Sequence, residues 1–319
     1  MAGNVVRVHD RIWQIQAPFG PDGMVMLYVL RGSKLGLVDT GVATTPIDDV
    51  RPALKDMGLD LRDVDYILNT HGHLDHLGGN FNFKEHAPDA QIHLHADDKP
   101  FADSHEHHRT FMTEFLHQLG RSDQAPAREA VVLKMIGDGD AGVDRVLADG
   151  DRVDLGGGLE LMVIHTPGHT PGSVCFYWES EKLLLTGDAV QARGSRVGGW
   201  PLYFDAGSYR RSIDRLLDVP AEALCLGHGF HSGVPLNTPI RRGPEARQIV
   251  QDSAAVSDAI DEAVRARIKA NPQASNLELA QGVTLDLLEK IPTMLDPVLK
   301  LPASGGATLW AHIREARAS

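Results

Sequence analysis

The stretch NTHGHLDHLGGN, residues 69–80, crowds three histidines and an aspartate into six residues. It follows the short apolar run YIL, which predicts a buried strand. In an extended segment, residues i and i+2 project to one face, so His71 and His73 can reach the same ion. Asp75 and His76 lie past the bend that follows and can face a second ion. The stretch therefore predicts a metal site at the end of a strand.

Three further groups of ligand-type residues also come directly after apolar runs. They are His169 in HTPGHTPGS, Asp188 in LLLTGDAV and His228 in LCLGHGF. Neutral imidazoles suit zinc, iron and other transition ions. A carboxylate lowers the net positive charge of such a site and can bridge two metals. Because strand ends on one edge of a sheet gather residues from distant parts of the chain, we expect all four groups to meet.

The rest of the chain divides by pattern. Short apolar runs separated by Gly, Pro and Asp predict strands in the first part of the chain and again over residues 159–227. Residues 98–140 have a helical period and form an insert between these strand regions. This alternation predicts an α/β protein with sheets covered by helices. We expect a catalytic domain over residues 1–238 and a helical region over residues 239–319.

Composition limits the possible partners and location. Hydrophobic residues make up 42% of the 319, and no apolar run approaches the roughly 20 residues of a membrane span, so we expect no membrane partner. The net charge of −12 argues against nonspecific binding of nucleic acid, which requires a basic surface. The start MAGNVVRVHD lacks the layout of a signal peptide. Cys175 and Cys225 sit in apolar runs as buried thiols, so we expect a cytoplasmic location.

Taken in order, HGHLDH, TPGHTPGS, TGD and GHG resemble the motifs of the metallo-β-lactamase superfamily, over roughly residues 10–230. The resemblance implies a four-layer αββα sandwich with its site at one edge between two sheets. It also implies two divalent metal ions, with zinc expected and iron or manganese as alternatives. The implied ligands are His71, His73 and His169 for one ion, Asp75, His76 and His228 for the other, and Asp188 as the bridge.

The same resemblance implies a mechanism. A bridging hydroxide would be the nucleophile, because metal ions lower the pKa of bound water and polarise a carbonyl. Asp75 and Asp188 are the candidate catalytic residues. Asp39, in LVDTG, matches a position that orients the loop and the ligands. A turn-forming aspartate is the alternative interpretation of Asp39.

The fold alone does not select the reaction. Flavodiiron members replace the second histidine with Glu, whereas this chain keeps His73. Acyl-homoserine lactonases carry a tyrosine three residues after the bridging aspartate, where this chain has Gln191. Tyr203 could approach the site from the same loop. We expect a hydrolase of a lactone or thioester bond in a small metabolite. A metal-dependent endoribonuclease or phosphodiesterase and an iron-dependent sulfur dioxygenase are the alternatives.

Two regions outside the motifs bear on the substrate. The helical C-terminal appendage resembles the winged-helix-like region of the lactamase-B2-like branch, and a homodimer is possible. The insert is expected to arch over the metal site, with an apolar face that packs on the domain or meets an apolar substrate. That face is formed by Phe111, Met112, Phe115 and Leu116.

Several other polar and aromatic residues are open to two interpretations. We expect the insert histidines His105, His107 and His108 to be solvated, an added ligand or acid–base group being the alternative. Of Trp200 and Phe204, each could form a pocket wall or cover the core.

Overall fold

Thirteen strands in the described part of the chain form two sheets. The computed structural model describes residues 4–20, 23–137, 139–195, 199–231, 239–291, 295, 298–302 and 305–319. The strands are β1 (Asn4–His9), β2 (Ile12–Phe19), β3 (Gly23–Arg31), β4 (Leu35–Val38), β5 (Val64–Leu68), β6 (Gln91–His95), β7 (Arg145–Leu147), β8 (Arg152–Asp154), β9 (Glu160–His165), β10 (Val174–Trp178), β11 (Leu183–Gly187), β12 (Ala223–Leu226) and β13 (Ile240–Arg242). The first sheet has the order β1-β2-β3-β4-β5-β6-β7, and the second has the order β13-β12-β11-β10-β9-β8.

Helices cover the outer faces of both sheets. A π-helical turn, Pro46–Val50, leads into the first α-helix. The α-helices of the described residues are α1 (Arg51–Asp56), α2 (Leu74–Leu77), α3 (Asn80–His86), α4 (Lys99–Asp103), α5 (His105–Gln118), α6 (Ala125–Met135), α7 (Ala206–Asp218), α8 (Pro244–Ala270), α9 (Asn276–Leu287) and α10 (Gly306–Ala318).

The main core lies between the two sheets. Tyr28 and Leu30 from the first sheet pack with Phe176 and Leu185 from the second. β3 is buried on both faces along most of its length, which is why its sequence is continuously apolar instead of alternating. The outer face of the first sheet packs under α1 and α3, and that of the second packs under α7 and α8. The predicted αββα sandwich is confirmed.

Strand direction places the ligand segments together. β4, β5 and β6 are parallel to one another, and β11 is parallel to β12. β9 runs in the same direction as β11, because each is antiparallel to β10. The carboxyl ends of β5, β9, β11 and β12 therefore meet at one edge of the sandwich. In open α/β sheets, this edge is where ligands bind.

The insert and the C-terminal helices pack on each other. α4, α5 and α6 lie within the predicted insert, and Phe115 and Leu116 of α5 share one apolar cluster with α8, α9 and α10. The predicted domain boundary after residue 238 adjoins residues 232–238, which lie outside the described residues. β13, just past that boundary, pairs with β12 and so belongs to the second sheet. The division into domains and the winged-helix likeness stay predictions.

Two further sequence expectations concern burial and the membrane. Cys175 and Cys225 are both buried free thiols, as their apolar surroundings predict. Among the helices of the described residues, none combines the length and apolar character needed to cross a bilayer.

Candidate metal centre

The first ligand stretch sits in the turn between β5 and α2. His71 and His73 are buried, and His73, in extended conformation, precedes the first turn of α2. Asp75 and His76 then lie within that short helix. The change from extended chain to helix is what separates the four side chains into two pairs.

One half of the centre gathers three imidazoles. The Nε2 atom of His169 lies 2.7 Å from Nδ1 of His73 and 3.0 Å from Nε2 of His71. All three residues are almost completely buried. Their ring nitrogens can therefore share one ion, as the sequence motifs predict.

The other half gathers the remaining ligands. Nε2 of His228 lies 3.2 Å from Nε2 of His76 and 3.4 Å from Oδ2 of Asp75. Asp188 reaches both halves: its Oδ1 lies 3.5 Å from His76 Nε2, and its Oδ2 lies 3.5 Å from His169 Nε2. The structure thus brings all seven predicted residues together, with Asp188 between the two groups.

Asp39 fixes which nitrogen of two histidines faces the centre. Its Oδ2 accepts hydrogen bonds from Nδ1 of His76 and from the hydroxyl of Thr70, both at 2.8 Å. Since the Thr70 proton is committed to Asp39, the Thr70 oxygen accepts the Nδ1 proton of His71 at 3.0 Å. The hydrogen-bond network therefore assigns the bare nitrogen of both rings to Nε2, which points inward. Asp39 orients ligands, in keeping with the family position it matches.

Backbone carbonyls do the same for two other histidines. Nδ1 of His169 donates to the carbonyl of Leu202 at 2.5 Å, and Nδ1 of His228 donates to the carbonyl of Met24 at 2.6 Å. Their Nε2 atoms are then left with lone pairs directed into the centre. Histidine ligands of metals in proteins are oriented in this way, through a hydrogen bond from the other ring nitrogen.

These residues fit a metal centre. Two pairs of bare nitrogens, His71 with His169 and His76 with His228, lie 3.0 and 3.2 Å apart. Lone pairs at that separation repel unless a proton or a metal ion lies between them. Oδ1 of Asp188 is buried and lacks a hydrogen-bond partner among the described residues, so it also has an unused lone pair. The donor set of imidazoles and carboxylates suits zinc, iron or manganese.

The electrostatics differ between the halves. Burial, together with the neighbouring imidazoles, lowers the pKa of His71 and of His73 well below the usual value. Burial also lowers the pKa of His228, but Asp188 and Asp75 outweigh that effect and raise it well above the usual value. The first half is therefore neutral at pH 7, while protons compete with metal ions for the second half.

Asp98, at the end of the turn after β6, is a residue that the sequence analysis missed. It is fully buried and accepts hydrogen bonds from the backbone of Gly72 and Gly172 and from the hydroxyl of Thr170, each at 2.6 Å. Burial raises its pKa to about 6 against the lowering effect of these hydrogen bonds. Asp98 therefore ties together the two loops that carry His71, His73 and His169.

The expectation for His108 is wrong. It is fully buried in α5, and its Nε2 donates to the carbonyl of Gly72 at 2.7 Å. His108 is buried because α5 packs against the turn that carries His71 and His73, a contact that the local sequence does not reveal. His107 is only partly buried and rests against the ring of Phe101.

Tyr203 does not approach the metal centre as suggested. Its hydroxyl lies 2.8 Å from Nε2 of His312, in the C-terminal helix, and its side chain is fully buried there. Trp200 is buried in the apolar cluster shared by α5, α8, α9 and α10, whereas Phe204 reaches the site, with its ring centroid 5.6 Å from that of His73. The two aromatic residues predicted together thus have different roles.

Comparison with known proteins identifies the family. The model of the metallo-beta-lactamase superfamily matches residues 20–228, and the chain belongs to that superfamily. Members of the superfamily are hydrolases that typically depend on two metals. A solved structure with a similar fold is a metallo-beta-lactamase family protein from Thermus thermophilus. It has a TM-score of 0.71 and 24% identity, over 98% of this chain and 95% of that one.

Curated relatives are 27–29% identical, but they match a smaller part of this chain. A hydroxyacylglutathione hydrolase from Rhizobium meliloti is 28% identical over 59% of this chain and 58% of its own length. The acyl-coenzyme A thioesterase MBLAC2 of Gallus gallus is 29% identical over 65% of this chain and 72% of its own. The probable metallo-hydrolase YflN of Bacillus subtilis is 27% identical over 69% and 80%. The chain matches only about half to three fifths of the length of the hydroxyacylglutathione hydrolases.

The role of Asp98 can be tested by stability. Asp98→Ala should lower the free energy of unfolding by about 3 kcal/mol or more, because three buried donors lose their acceptor at a cost of about 1–3 kcal/mol each. Urea unfolding measures the change. Asp97→Ala is the matched control, since that neighbouring carboxylate is mostly exposed, and it should cost less than about 1 kcal/mol. Equal effects of the two variants would contradict the assigned role.

Proposed function

We propose that the protein is a dinuclear metal-dependent hydrolase that cleaves a thioester in a small acyl metabolite. The observation that carries this proposal is the geometry of the ligands. Imidazole nitrogens lie 3.0 Å apart in one half of the centre and 3.2 Å apart in the other, and Asp188 reaches both halves. Bound metal ions supply Lewis-acid activation of water and of the substrate carbonyl. The chain's own part is to hold the ligands in register and to shape the pocket around them.

The two candidate catalytic carboxylates differ in their surroundings. Asp188 is almost fully buried and keeps both oxygens within 3.5 Å of histidine nitrogens from both halves. Asp75 has 15% of its side chain exposed, more than Asp188 at 8%. Burial acts to raise the pKa of Asp75, but His76 and His228 outweigh that effect and hold it well below the usual range, so Asp75 stays ionised as a ligand. Asp188 balances the charge of both halves.

An apolar wall stands over the first half of the centre. Phe111 of α5 and Phe204 of the loop before α7 have ring centroids 4.4 Å apart. Their centroids lie 6.1 and 5.6 Å from the ring of His73. Both are only partly buried, whereas Met112, Phe115 and Leu116 of the same insert face are buried. Most of that face packs on the protein, and Phe111 is left for the acyl part of a substrate.

The surroundings favour a thioester over a lactone. A lactone expels an alkoxide, which needs a proton, whereas a thiolate leaves readily because thiols have a pKa near about 8.5. Tyr203, the candidate proton donor, is directed away from the centre. The amide of Gln191 contacts backbone and the Nδ1 side of His169, and it does not ionise, so it cannot supply the proton. The similarity to a hydroxyacylglutathione hydrolase and an acyl-coenzyme A thioesterase supports the same choice.

The proposal is tested by metal content and turnover on one preparation. Acyl thioesters of glutathione and coenzyme A, homoserine lactones and a short RNA form the panel. We expect about two metal equivalents, zinc first, with thioester hydrolysis that a chelator removes and added metal restores. Turnover of lactones alone, or of RNA alone, would overturn the proposed substrate. Bound iron with oxygen uptake would indicate a dioxygenase, and less than one equivalent would refute the dinuclear centre.

Asp188→Ala should abolish thioester hydrolysis and lower metal content, because it removes the carboxylate that reaches both halves. The fold should survive, since the side chain lies at the edge of the sandwich, and circular dichroism checks this. His107→Ala is the control: this partly buried histidine has no contact with the seven ligand residues and should keep nearly the full rate. Normal turnover by Asp188→Ala would refute the two-metal mechanism.

Phe111→Ala should change acyl-chain preference. The lost apolar contact with the acyl chain is worth about 1.4 kcal/mol of binding free energy. We therefore expect kcat/KM to fall roughly tenfold for a decanoyl thioester, with acetyl thioester turnover unchanged. Trp13→Ala, a half-buried aromatic on the outer face of the first sheet, serves as the control and should leave the decanoyl-to-acetyl ratio alone. An unchanged ratio in Phe111→Ala would show that the acyl chain lies elsewhere.

A further inference from the structure

The loop of residues 199–205, which leads into α7, connects the metal centre to the C-terminal helix α10. On one side, the Leu202 carbonyl of this loop accepts the Nδ1 proton of His169. On the other side, Trp200 is buried in the apolar cluster formed by α8, α9 and α10. The loop is thus packed between the first half of the centre and a helix more than a hundred residues further along the chain.

Two buried side chains hold the backbone of this loop from opposite sides. The Gln191 amide accepts from the Leu202 N–H at 2.7 Å and donates to the Leu202 carbonyl at 2.9 Å. Its Nε2 also lies 2.9 Å from Nδ1 of His169. The Thr308 hydroxyl of α10 donates to the carbonyl of Pro201 at 2.7 Å and accepts from the Tyr203 N–H at 3.0 Å. Thr308 is fully buried and Gln191 is 2% exposed, so water does not replace these bonds readily.

We propose that Thr308 and Gln191 are positioning residues that set the orientation of His169, by fixing the peptide at Leu202 whose carbonyl binds it. This inference rests on the proposed metal centre. The Leu202 carbonyl selects the ring nitrogen of His169 that faces the other ligands, so a shift of the loop turns or displaces that imidazole. α10 therefore helps to orient a metal ligand, in addition to its packing role.

A purely packing role for Thr308 makes a different prediction. Thr308 would then contribute to stability alone, and its loss would leave metal binding unchanged in any variant that folds. Removal of a hydrogen-bonding partner behind a metal ligand typically weakens metal affinity by about 10–100-fold. The two roles are separated by measuring metal affinity and thermal stability on the same variants.

The test compares Thr308→Val with Thr308→Ser and Thr284→Val. Thr284 is the matched control, because it is fully buried in α9 and its hydroxyl, among the described residues, bonds within its own helix to the carbonyl of Ala280. Metal-free proteins are titrated with Zn²⁺ against a chromophoric chelator, and their thermal unfolding is recorded. We expect Thr308→Val to bind one of two zinc ions about 10–100-fold more weakly, with the other ion unaffected. Thr308→Ser and Thr284→Val should bind both ions as the wild type does.

The outcomes separate this inference from the proposed function. A folded Thr308→Val with wild-type affinity for both ions overturns the inference alone. If Thr308→Val does not fold, Gln191→Met replaces it with the same expectation and the same refuting result. This variant removes both side-chain bonds to Leu202 together with the contact between Gln191 and His169. A wild type that binds two ions without cleaving thioesters leaves the inference standing and refutes the substrate. A wild type that binds no zinc refutes both.

Discussion

Lone-pair repulsion among buried imidazoles is the constraint around which this protein is arranged. Four ring N–H groups are directed outward to Thr70, Asp39, Leu202 and Met24, and the other nitrogen of each ring faces its neighbours inside. Without the outward acceptors, each ring could turn its N–H inward and satisfy its neighbour. The acceptors come from four separate segments of the chain, so the arrangement exists only once both sheets are paired and packed.

The two sheets contribute unequal parts to this arrangement. The first sheet supplies the compact HGHLDH turn and Asp39, which lie on neighbouring parallel strands. The second supplies single ligands after β9, β11 and β12, each on a loop that needs outside support. Asp98 supports one of those loops and the C-terminal helix supports another. The parts of the chain with no ligand of their own thus hold the ligands of the second sheet.

The ligands could be predicted from the sequence because each follows an apolar strand and has glycine or threonine beside it. Asp98 could not, since HADDKP resembles any solvated helix start, and its hydrogen-bond partners lie 26 to 74 residues away. The prediction for His108 was wrong for the same reason, because HEHH is polar in sequence and His108 is buried by the packing of α5. The αββα layers followed from strand patterns, whereas the packing of the insert on the C-terminal helices depends on tertiary contacts that no local pattern encodes.

Asp39 has an evolutionary consequence. Its backbone is left-handed, with φ at +61°, a region that Gly, Asn and Asp enter more easily than other residues. Its carboxylate meanwhile serves Thr70 and His76. Glycine or asparagine would suit the backbone without supplying the charge, and glutamate would supply the charge on a backbone that disfavours it. A descendant of this chain can therefore replace Asp39 only if the backbone of the turn and the hydrogen bonds to Thr70 and His76 change at the same time. Single substitutions at this position are therefore disfavoured.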